Sequence, residues 1–300
     1  MIRVFYSPAY VGSGYAFDTT RKARWIADSL VESPIPNIEL AAPQALSREQ
    51  VDAVHDPCYV RAIETGLPHD LAESQGFEWD PGLWPMVLAS NGGVVAAARA
   101  ALADGVAGSL SSGLHHARHG HGAGFCTFNG LVIAAQTALA EGIKSVLILD
   151  LDAHCGGGTA SFIESEPRIW QIDVSVSSID DYVGSERVWL DIVPKGADYL
   201  SAVHRGLELA ESHGSRFGLC LYNAGMDPYE GCSAGGRHGI TREVLAAQER
   251  AVFEWCNRLN VPIAFVLAGG YVGARLNGSA LVELHRLTLS AAVEAWRNET

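Results

Sequence analysis

The sequence has few charged residues and no cluster of positive charge. Of its 300 residues, 18% are charged and 48% are hydrophobic, and 34 acidic residues outnumber 21 basic ones to give a net charge of −13. The low hydrophobicity of disordered chains is therefore absent, and we expect a globular protein with a large core. Because no run of Lys or Arg could line a phosphate groove, we expect no nucleic-acid partner.

The sequence also lacks long apolar runs and paired cysteines. The longest charge-free apolar stretch, near 81–98, contains Pro85, Asn91 and two glycines, so we expect a buried helix and no membrane partner. The first residues hold no sustained apolar segment, and no signal peptide is expected. None of the six cysteines forms a C-x-x-C pair, and a chain of this length needs no disulfide staples. We expect reduced thiols in a cytoplasmic protein.

No linker, fixed-period repeat or low-complexity tract divides the chain, so we expect a single domain over residues 1–300. Apolar β-branched runs alternate with segments of helical periodicity, which predicts an α/β fold with a parallel sheet covered on both faces. The predicted strands are Arg3–Tyr6, Val106–Leu110, Ser145–Leu151, Ile169–Val174, Arg216–Leu221 and Pro262–Leu267. The predicted helices are Thr20–Val31, Arg48–Glu64, Leu83–Ala103, Gly130–Ala140, Asp198–Ser212, Arg242–Arg258 and Ser279–Arg297.

Metal-ligating side chains follow two of the predicted strands, at the edge where open α/β sheets bind ligands. Asp150, Asp152 and His154 come at the end of one strand, and they share one side if strand geometry persists. An Asp and a His at this spacing can reach one cation, and zinc accepts both. A surface turn is the alternative, but a buried strand rarely ends in unpaired charges. Asp227 follows another predicted strand and could supply a third ligand, or only begin an Asp-Pro turn.

The loop after Val106–Leu110 contains four histidines within seven residues: His115, His116, His119 and His121. Such a density indicates either metal affinity or proton transfer, and its position after a strand favours function over a solvated loop. We expect His119 and His121 to lie at the rim rather than to bind a metal.

Two glycine-containing motifs lie later in the chain. After Pro262–Leu267, two glycines allow close backbone approach to a ligand, and Tyr271 could donate a hydrogen bond to a developing oxyanion. Residues 231–235 match G-x-S-x-G, the nucleophile motif of serine hydrolases. That motif needs a strand before it and a helix after it, and neither is predicted here. We therefore interpret it as a chance match in a loop.

The ordered set of tandem histidines, D-x-D-x-H, a later Asp and a later Tyr resembles the zinc-dependent histone deacetylase and acetylpolyamine amidohydrolase family. The resemblance covers nearly the whole chain and implies a three-layer α/β/α sandwich around a mainly parallel sheet. It also implies removal of an acyl group, above all acetyl, from an N-acylated amine such as acetyl-lysine or an acetylpolyamine. The matching segments are Tyr6-Ser7-Pro8, Val54-His55-Asp56-Pro57-Cys58-Tyr59-Val60, His115-His116-Ala117, Gly124-Phe125-Cys126 with Asn129, Asp150 to Thr159, Asn223-Ala224-Gly225-Met226-Asp227 and Gly269-Gly270-Tyr271.

The resemblance implies two metal ions. Zinc would polarise the substrate carbonyl and activate water, and its implied ligands are Asp152, His154 and Asp227. A structural potassium ion would be held by Asp150 and Ser175.

The resemblance also assigns the acid–base and channel residues. His116 would be the general base, and His115 its electrostatic partner, oriented by Asp150. Tyr271 would polarise the scissile carbonyl. The residues implied to line the acyl channel are Gly124 and Phe125.

Two positions depart from the family pattern beside the predicted metal. Cys155 stands where a second His is usual, and we interpret it as a packed thiol, the alternative being an oxidisable group. Gly157 stands where Asp or Asn usually pairs with the second tandem histidine. Without that acceptor His116 loses an orienting hydrogen bond. Either another carboxylate takes its place, or the roles of His115 and His116 shift.

The segment 175–182 replaces a usual His and a second channel Phe. Tyr182 or Ile179 could take the place of that Phe. Ala268 also replaces a residue that is usually Glu or Gly. Four acidic residues are expected in rim loops, where they could attract a cationic amine: Asp180, Asp181, Glu186 and Glu230.

Two further interpretations compete with a deacylase. A two-manganese ureohydrolase shares the fold, but it needs carboxylates where this chain has Gly156 and Tyr229. A weakly active or inactive zinc-bearing protein that binds acyl ligands would fit the loss at Gly157, although the retained Tyr271 and tandem histidines argue for an enzyme. The expected partner is a small N-acyl amine or acetyl-lysine, and the sequence is compatible with an oligomer.

Overall fold

A single sheet of parallel strands organises the computed structural model, which describes residues 1–14, 18–212 and 217–296, with only the backbone of 18–20. The strands in these ranges are β1 (Ile2–Phe5), β2 (Ile38–Ala41), β3 (Val106–Ser109), β4 (Val146–Asp150), β5 (Ile169–Ser175), β6 (Val188–Ile192), β7 (Leu219–Gly225) and β8 (Ile263–Ala268). Their order across the sheet is β2-β1-β3-β8-β7-β4-β5-β6, and every neighbouring pair is parallel. The predicted α/β class with a parallel sheet is confirmed.

Helices cover both faces of this sheet. The helices in the described ranges are α1 (Asp18–Glu32), α2 (Arg48–Asp52), α3 (Pro57–Thr65), α4 (His69–Ala72), α5 (Leu83–Asp104), α6 (Gly130–Ala140), α7 (Gly157–Ile163), α8 (Tyr199–Ser212), α9 (Arg242–Leu259) and α10 (Gly278–Trp296). Because successive strand residues point to opposite faces, Leu147 and Leu149 of β4 join one apolar core, and Val146 and Ile148 join the other. The first core also contains residues of α1, α8, α9 and α10, and the second contains residues of α2, α3, α5, α6 and α7. The three-layer α/β/α sandwich is thus confirmed.

The strand order gathers the loops that carry the predicted site residues. β3, β8, β7 and β4 are neighbours in the sheet, so their carboxyl ends meet in the middle of one edge. The loop with the tandem histidines follows β3, and Tyr271 follows β8. Asp227 follows β7, while Asp152 and His154 follow β4.

The predicted helix over Arg48–Glu64 is wrong, because the chain forms α2 and α3 with a break between them. Asp56 caps α3, accepting hydrogen bonds from the backbone N–H groups of Cys58 at 2.7 Å and Tyr59 at 3.4 Å. Pro57 occupies the first turn, where the missing N–H leaves no hydrogen bond unmade. The Asp-Pro pair therefore starts a second helix.

Both outer strands of the sheet, β2 and β6, escape the sequence prediction, as do the short helices α4 and α7. Each outer strand has one paired edge only and is mostly half-buried or exposed, so neither carries the continuous apolar run of a central strand. β7 continues to Gly225, four residues past its predicted end. The predicted first residue of that strand, Arg216, and the predicted last residue of the final helix, Arg297, lie outside the described residues.

α5 contains the long apolar stretch expected to form a buried helix. Its length and composition would suffice to cross a membrane, but 72% of its most apolar window is buried inside the protein. It packs against β1, β3 and β8 on one side and α6 on another. The sheet takes strands from both halves of the chain, and one domain over residues 1–300 stays a prediction.

Candidate active site

Three side chains that could bind a metal meet beyond the carboxyl ends of β4 and β7. Nδ1 of His154 lies 3.1 Å from Oδ1 of Asp152 and 3.2 Å from Oδ2 of Asp227. All three residues are buried, and their ligand atoms lie within 4.8 Å of one another. The structure therefore brings together the three residues predicted as zinc ligands.

The backbone fixes these side chains and leaves one ligand atom free of hydrogen bonds. The N–H of Ala153 donates to Oδ1 of Asp227 at 3.0 Å, and the N–H of His154 donates to Oδ1 of Asp152 at 3.0 Å. Oδ2 of Asp227 is buried and, apart from its ion-pair contact with Nδ1 of His154, meets no donor among the described residues. A buried carboxylate oxygen without a donor is costly unless a cation faces it. Two carboxylates and one imidazole also match the donor set of catalytic zinc, so the residues fit this metal.

The charges at this cluster are strongly coupled. Burial alone would lower the pKa of His154, but the carboxylates of Asp152 and Asp227 together raise it to about 11. Burial and the neighbouring Asp152 raise the pKa of Asp227. A bound cation would take over the role of the imidazole proton, because it neutralises both carboxylates at once.

The tandem histidines each pair with a different carboxylate. Nδ1 of His115 lies 2.7 Å from Oδ2 of Asp150, and Nδ1 of His116 lies 2.9 Å from Oδ2 of Asp180. The two ring centroids are 4.0 Å apart. Nε2 of His115 lies 3.6 Å from Oδ1 of Asp152, one of the three predicted metal ligands. Both histidines thus direct Nδ1 to a carboxylate and leave Nε2 for other chemistry.

The surroundings drive the two imidazoles to opposite protonation states. Burial alone would lower the pKa of His115, but Asp150 and Asp152 raise it to about 10. Burial and the neighbouring His115 lower the pKa of His116, an effect that Asp180 only partly counters. His115 is therefore the cationic partner and His116 the neutral one at pH 7. A neutral imidazole is the form that can accept a proton.

Asp150 belongs to a second buried acidic group. Its register partner across β4 and β5 is Asp173, and Oγ of Ser175 donates to Oδ1 of Asp173 at 2.5 Å. Nδ2 of Asn223 donates to Oδ1 of Asp150 at 2.8 Å. Burial and the charge of Asp150 raise the pKa of Asp173. Two buried carboxylates in neighbouring register positions favour a bound cation, since such charges otherwise require proton uptake.

Tyr271 lies on the loop after β8, with its ring centroid 6.4 Å from that of His154. Burial, followed by the charges of Asp227 and Asp152, raises its pKa, so the hydroxyl keeps its proton and can donate it in a hydrogen bond. Ser233 holds this loop: its N–H donates to the carbonyl of Tyr271, and its Oγ donates to the carbonyl of Val272 at 2.9 Å. Ser233 of the G-x-S-x-G match therefore stabilises this loop, and β7 ends at Gly225, too early to lead directly into the motif.

Gly124 lies against the ring of His116, and Phe125 follows it in the chain. A Cβ on Gly124 would come within 2.4 Å of the His116 ring, so only glycine allows this close approach. Phe125 stacks on Phe77 with ring centroids 5.3 Å apart, and its N–H donates to the carbonyl of Gln75 at 2.8 Å. Phe77 was not predicted from the sequence, because nothing in its neighbourhood marks it as close to residue 125.

The segment 175–182 differs from expectation. Asp180 is no rim acid: its side chain is 15% exposed and it binds His116. The hydroxyl of Tyr182 donates to Oδ2 of Asp173 at 3.0 Å and its ring packs on the core, while Ile179 is 59% exposed. Ile179 is therefore the exposed one of the two residues that could take the place of the second channel Phe. Cys155 is fully buried, and burial raises its pKa to about 12, as expected for a packed thiol.

Asp173 was also missed, although the sequence holds a signal for it. A lone carboxylate inside the apolar strand β5 is costly to bury and marks a functional or paired position. His119 and His121 are exposed, as expected for rim residues.

Comparisons with known proteins identify the family. Residues 16–182 match the model of the histone deacetylase domain. An uncharacterized protein of Picosynechococcus sp. is 33% identical over 260 residues, which cover 85% of each chain. Histone deacetylase 2 of Arabidopsis thaliana is 29% identical over 65% of this chain, which spans about half (52%) of that protein.

The fold itself is shared with a solved structure. An acetylpolyamine aminohydrolase from Burkholderia pseudomallei superposes with a TM-score of 0.78 at 19% identity, covering 98% of this chain and 99% of that chain. A match at this identity shows a common fold. The family match over more than half of the sequence goes further, and by it the chain belongs to the histone deacetylase domain family.

Proposed function

We propose that the protein is a zinc-dependent deacylase that removes an acetyl group from an N-acylated amine, such as an acetylated polyamine or acetyl-lysine. The observation that carries this proposal is the convergence of His154, Asp152 and Asp227 within 4.8 Å. The tandem histidines and Tyr271 line the same edge of the sheet. Membership of the histone deacetylase family supports the reaction class.

Zinc bound by Asp152, His154 and Asp227 would polarise the substrate carbonyl and make water a stronger nucleophile. Nε2 of His116, neutral at pH 7, takes a proton from the attacking water. The water oxygen forms a bond to the carbonyl carbon, the C–N bond breaks, and His116 returns the proton to the leaving amine nitrogen.

Two other groups stabilise the charge that develops during this reaction. Tyr271 donates its hydroxyl hydrogen to the substrate carbonyl oxygen, where negative charge accumulates. His115, held as a cation by Asp150, adds a positive charge beside the metal cluster. Gly124 and Phe125 form part of the channel for the acyl chain.

A monovalent cation, potassium, is proposed for the second acidic group, with Asp150 and Ser175 among its ligands. The buried pair of Asp150 and Asp173 supports it, because a cation there would offset their repulsion. A cytoplasmic location is also proposed, and it is supported by the six cysteines, all of which are free thiols.

The experiment that tests the proposal combines metal analysis with a substrate panel. We expect about one zinc per chain and turnover of acetyl-lysine peptides, acetylated polyamines or longer acyl-lysines. His116→Ala should keep zinc and lose turnover, whereas Asp227→Ala should lose both. Zinc without turnover of any amide would instead favour the acyl-binding alternative. Two metals per chain, or none, would show that Asp152, His154 and Asp227 are not zinc ligands.

The acyl-binding alternative has lost the observation that motivated it. It rested on Gly157, which leaves His116 without its usual carboxylate. Asp180 now occupies that place, at 2.9 Å from Nδ1 of His116.

A further inference from the structure

We propose that Asp180 is the positioning residue of His116, a carboxylate supplied from the loop after β5 in place of one at Gly157. The inference rests on the proposed function, because it assigns a role within that reaction. It names a residue that lies outside the D-x-D-x-H motif and 23 positions after the place where the family pattern has its acid.

Backbone hydrogen bonds between two loops place Asp180 next to His116. The N–H groups of Val176 and Ser177 both donate to the carbonyl of Ala153, and the N–H of Cys155 donates to the carbonyl of Ile179 at 3.0 Å. These hydrogen bonds therefore hold the loop after β5 against the loop after β4. Asp180 itself has φ of +62°, a left-handed conformation that Asp and Asn tolerate better than other side chains.

Three donors orient the Asp180 carboxylate. Oδ2 accepts from Nδ1–H of His116 at 2.9 Å and from the N–H of Gly158 at 3.1 Å. Oδ1 accepts from Nη2 of Arg118, whose Nη1 also donates to the carbonyl of Gly157 at 2.9 Å. Each oxygen thus has its own donors, and rotation of the carboxylate would break several hydrogen bonds at once.

Gly157 leaves the space that Asp180 fills. A Cβ on Gly157 would lie 2.3 Å from the carbonyl oxygen of Asp180 and 2.7 Å from its Oδ1. No side chain fits there while Asp180 stays in place. The absence of a side chain at 157 therefore makes room for the carboxylate at 180. The acid that contacts His116 comes from a different segment of the chain.

The contacts also define what His116 can do. With Nδ1–H donated to Asp180, the neutral ring carries its lone pair on Nε2, the tautomer needed for a base. An alanine at 180 removes this arrangement. Nδ1 of His116 then has no carboxylate to hold its proton, and the ring is free to carry the proton on Nε2 instead.

The first test compares Asp180→Ala with Asp198→Ala, a matched control at an exposed residue just before α8. We expect Asp180→Ala to lower kcat by about 100-fold with KM nearly unchanged, since an orienting partner is lost and substrate contacts are kept. Asp198→Ala should keep the kcat of the natural protein. Equal kcat values for the two variants would overturn the proposal.

A second measurement does not depend on turnover. The ¹⁵N resonances of the His116 ring report its tautomer, and His116→Gln assigns them. We expect the proton on Nδ1 in the natural protein and on Nε2 in Asp180→Ala, and the same tautomer in both would contradict the proposal. If the natural protein hydrolyses no acyl amine, the proposed function fails, and this measurement still decides the role of Asp180.

Keeping or losing the charge at 180 separates positioning from packing. Asp180→Gln should lower kcat about as much as Asp180→Ala. Asp180→Glu has nearly the same size as Gln but keeps a carboxylate on the same segment, and it should be about tenfold faster than Asp180→Gln. Asp180→Glu no faster than Asp180→Gln would count against the role.

Discussion

His115 and His116 are adjacent in the chain, yet their surroundings give them different chemistry. His115 pairs with Asp150, a fully buried carboxylate close to the predicted metal ligands, whereas His116 pairs with Asp180, which also accepts a hydrogen bond from the cationic Arg118. The first imidazole is held as a cation and the second is neutral. One buried positive charge disfavours a second at 4.0 Å. In the proposed reaction, the pair therefore divides electrostatic stabilisation and proton transfer between two rings.

A single hydroxyl is expected to carry much of the stabilisation of the reacting carbonyl. Tyr271→Phe removes the only polar atom of that side chain and keeps its ring. We expect kcat to fall by about 100-fold, the usual cost of losing one oxyanion donor, with zinc content unchanged. Steady-state kinetics with Tyr229→Phe as the control, a tyrosine that packs on the core, would measure the effect. A fall of less than about threefold would remove Tyr271 from the proposed reaction.

Most residues that meet at the candidate site could be predicted from the sequence, because each of them directly follows a strand. Asp152 and His154 follow a strand that is apolar throughout, and Asp227 and Tyr271 follow two more, so parallel strands place them together. Asp180 and Phe77 could not be predicted in this way. Their positions follow from how two loops pack on each other, and no periodicity or spacing encodes such a contact.

At the scale of elements, Asn129 joins the start of α6 to the histidine loop. Its Oδ1 accepts from the N–H of Val132 at 3.1 Å, and its Nδ2 contacts the carbonyls of His115 and Ala117 and Oγ1 of Thr159. One buried amide therefore caps a helix and fixes the backbone of the tandem histidines.

We expect Asn129→Ala to lower the free energy of unfolding by about 2–3 kcal/mol, since a cap is lost and buried carbonyls lose a donor. Asn129→Asp retains the capping oxygen but loses the donors, and should place a buried charge beside the carbonyls. Both variants should unfold at lower denaturant concentration, with Thr137→Ala, a substitution in the middle of α6, as the control. An unchanged midpoint for Asn129→Ala would show that α6 and the loop are held by other contacts.

A buried carboxylate also links α9 to β7. Oε1 of Glu249 accepts from the hydroxyl of Tyr222 at 2.7 Å and from Nε2 of Gln248 at 2.9 Å. Burial raises the pKa of Glu249 from 4.5 to about 7. The folded protein therefore holds a proton that the unfolded chain releases between these pH values.

Stability from this group is complete below about pH 4.5 and is lost as the pH rises through about 7. The loss amounts to roughly 3 kcal/mol at pH 8, because each pKa unit corresponds to about 1.4 kcal/mol. Glu249→Gln keeps an acceptor without the charge and should make unfolding by urea less dependent on pH in this range. Identical pH dependence for the variant and the natural protein would contradict the assignment.

The elements themselves were predictable where they are buried. Central strands and long amphipathic helices leave a clear pattern, whereas the outer strands β2 and β6 show weak patterns because only one edge of each is paired. The break between α2 and α3 was readable from Asp56 and Pro57, a cap followed by the residue suited to a first helical turn. α7 begins in a run of glycines, which have low helix propensity, and tertiary packing overrides it.

At the scale of the whole molecule, the net charge of −13 creates a field that attracts cations. For a cationic substrate such as an acetylated polyamine, kcat/KM should fall roughly tenfold from low to high salt as the field is screened. An uncharged N-acetyl amine serves as the control and should show little change. Equal salt dependence for the two substrates would show that the acidic surface does not assist binding.

Having a glycine at 157 and the carboxylate at 180 limits which substitutions this protein can accept over evolutionary time. An acid at both positions collides, and an acid at neither leaves His116 without a partner. A lineage that moves the carboxylate from one segment to the other must pass through one of these impaired states, or lose and regain it almost together. Among relatives, an acid should therefore occur at one of the two positions but not at both. Each position alone would look variable in an alignment, although every relative needs one carboxylate.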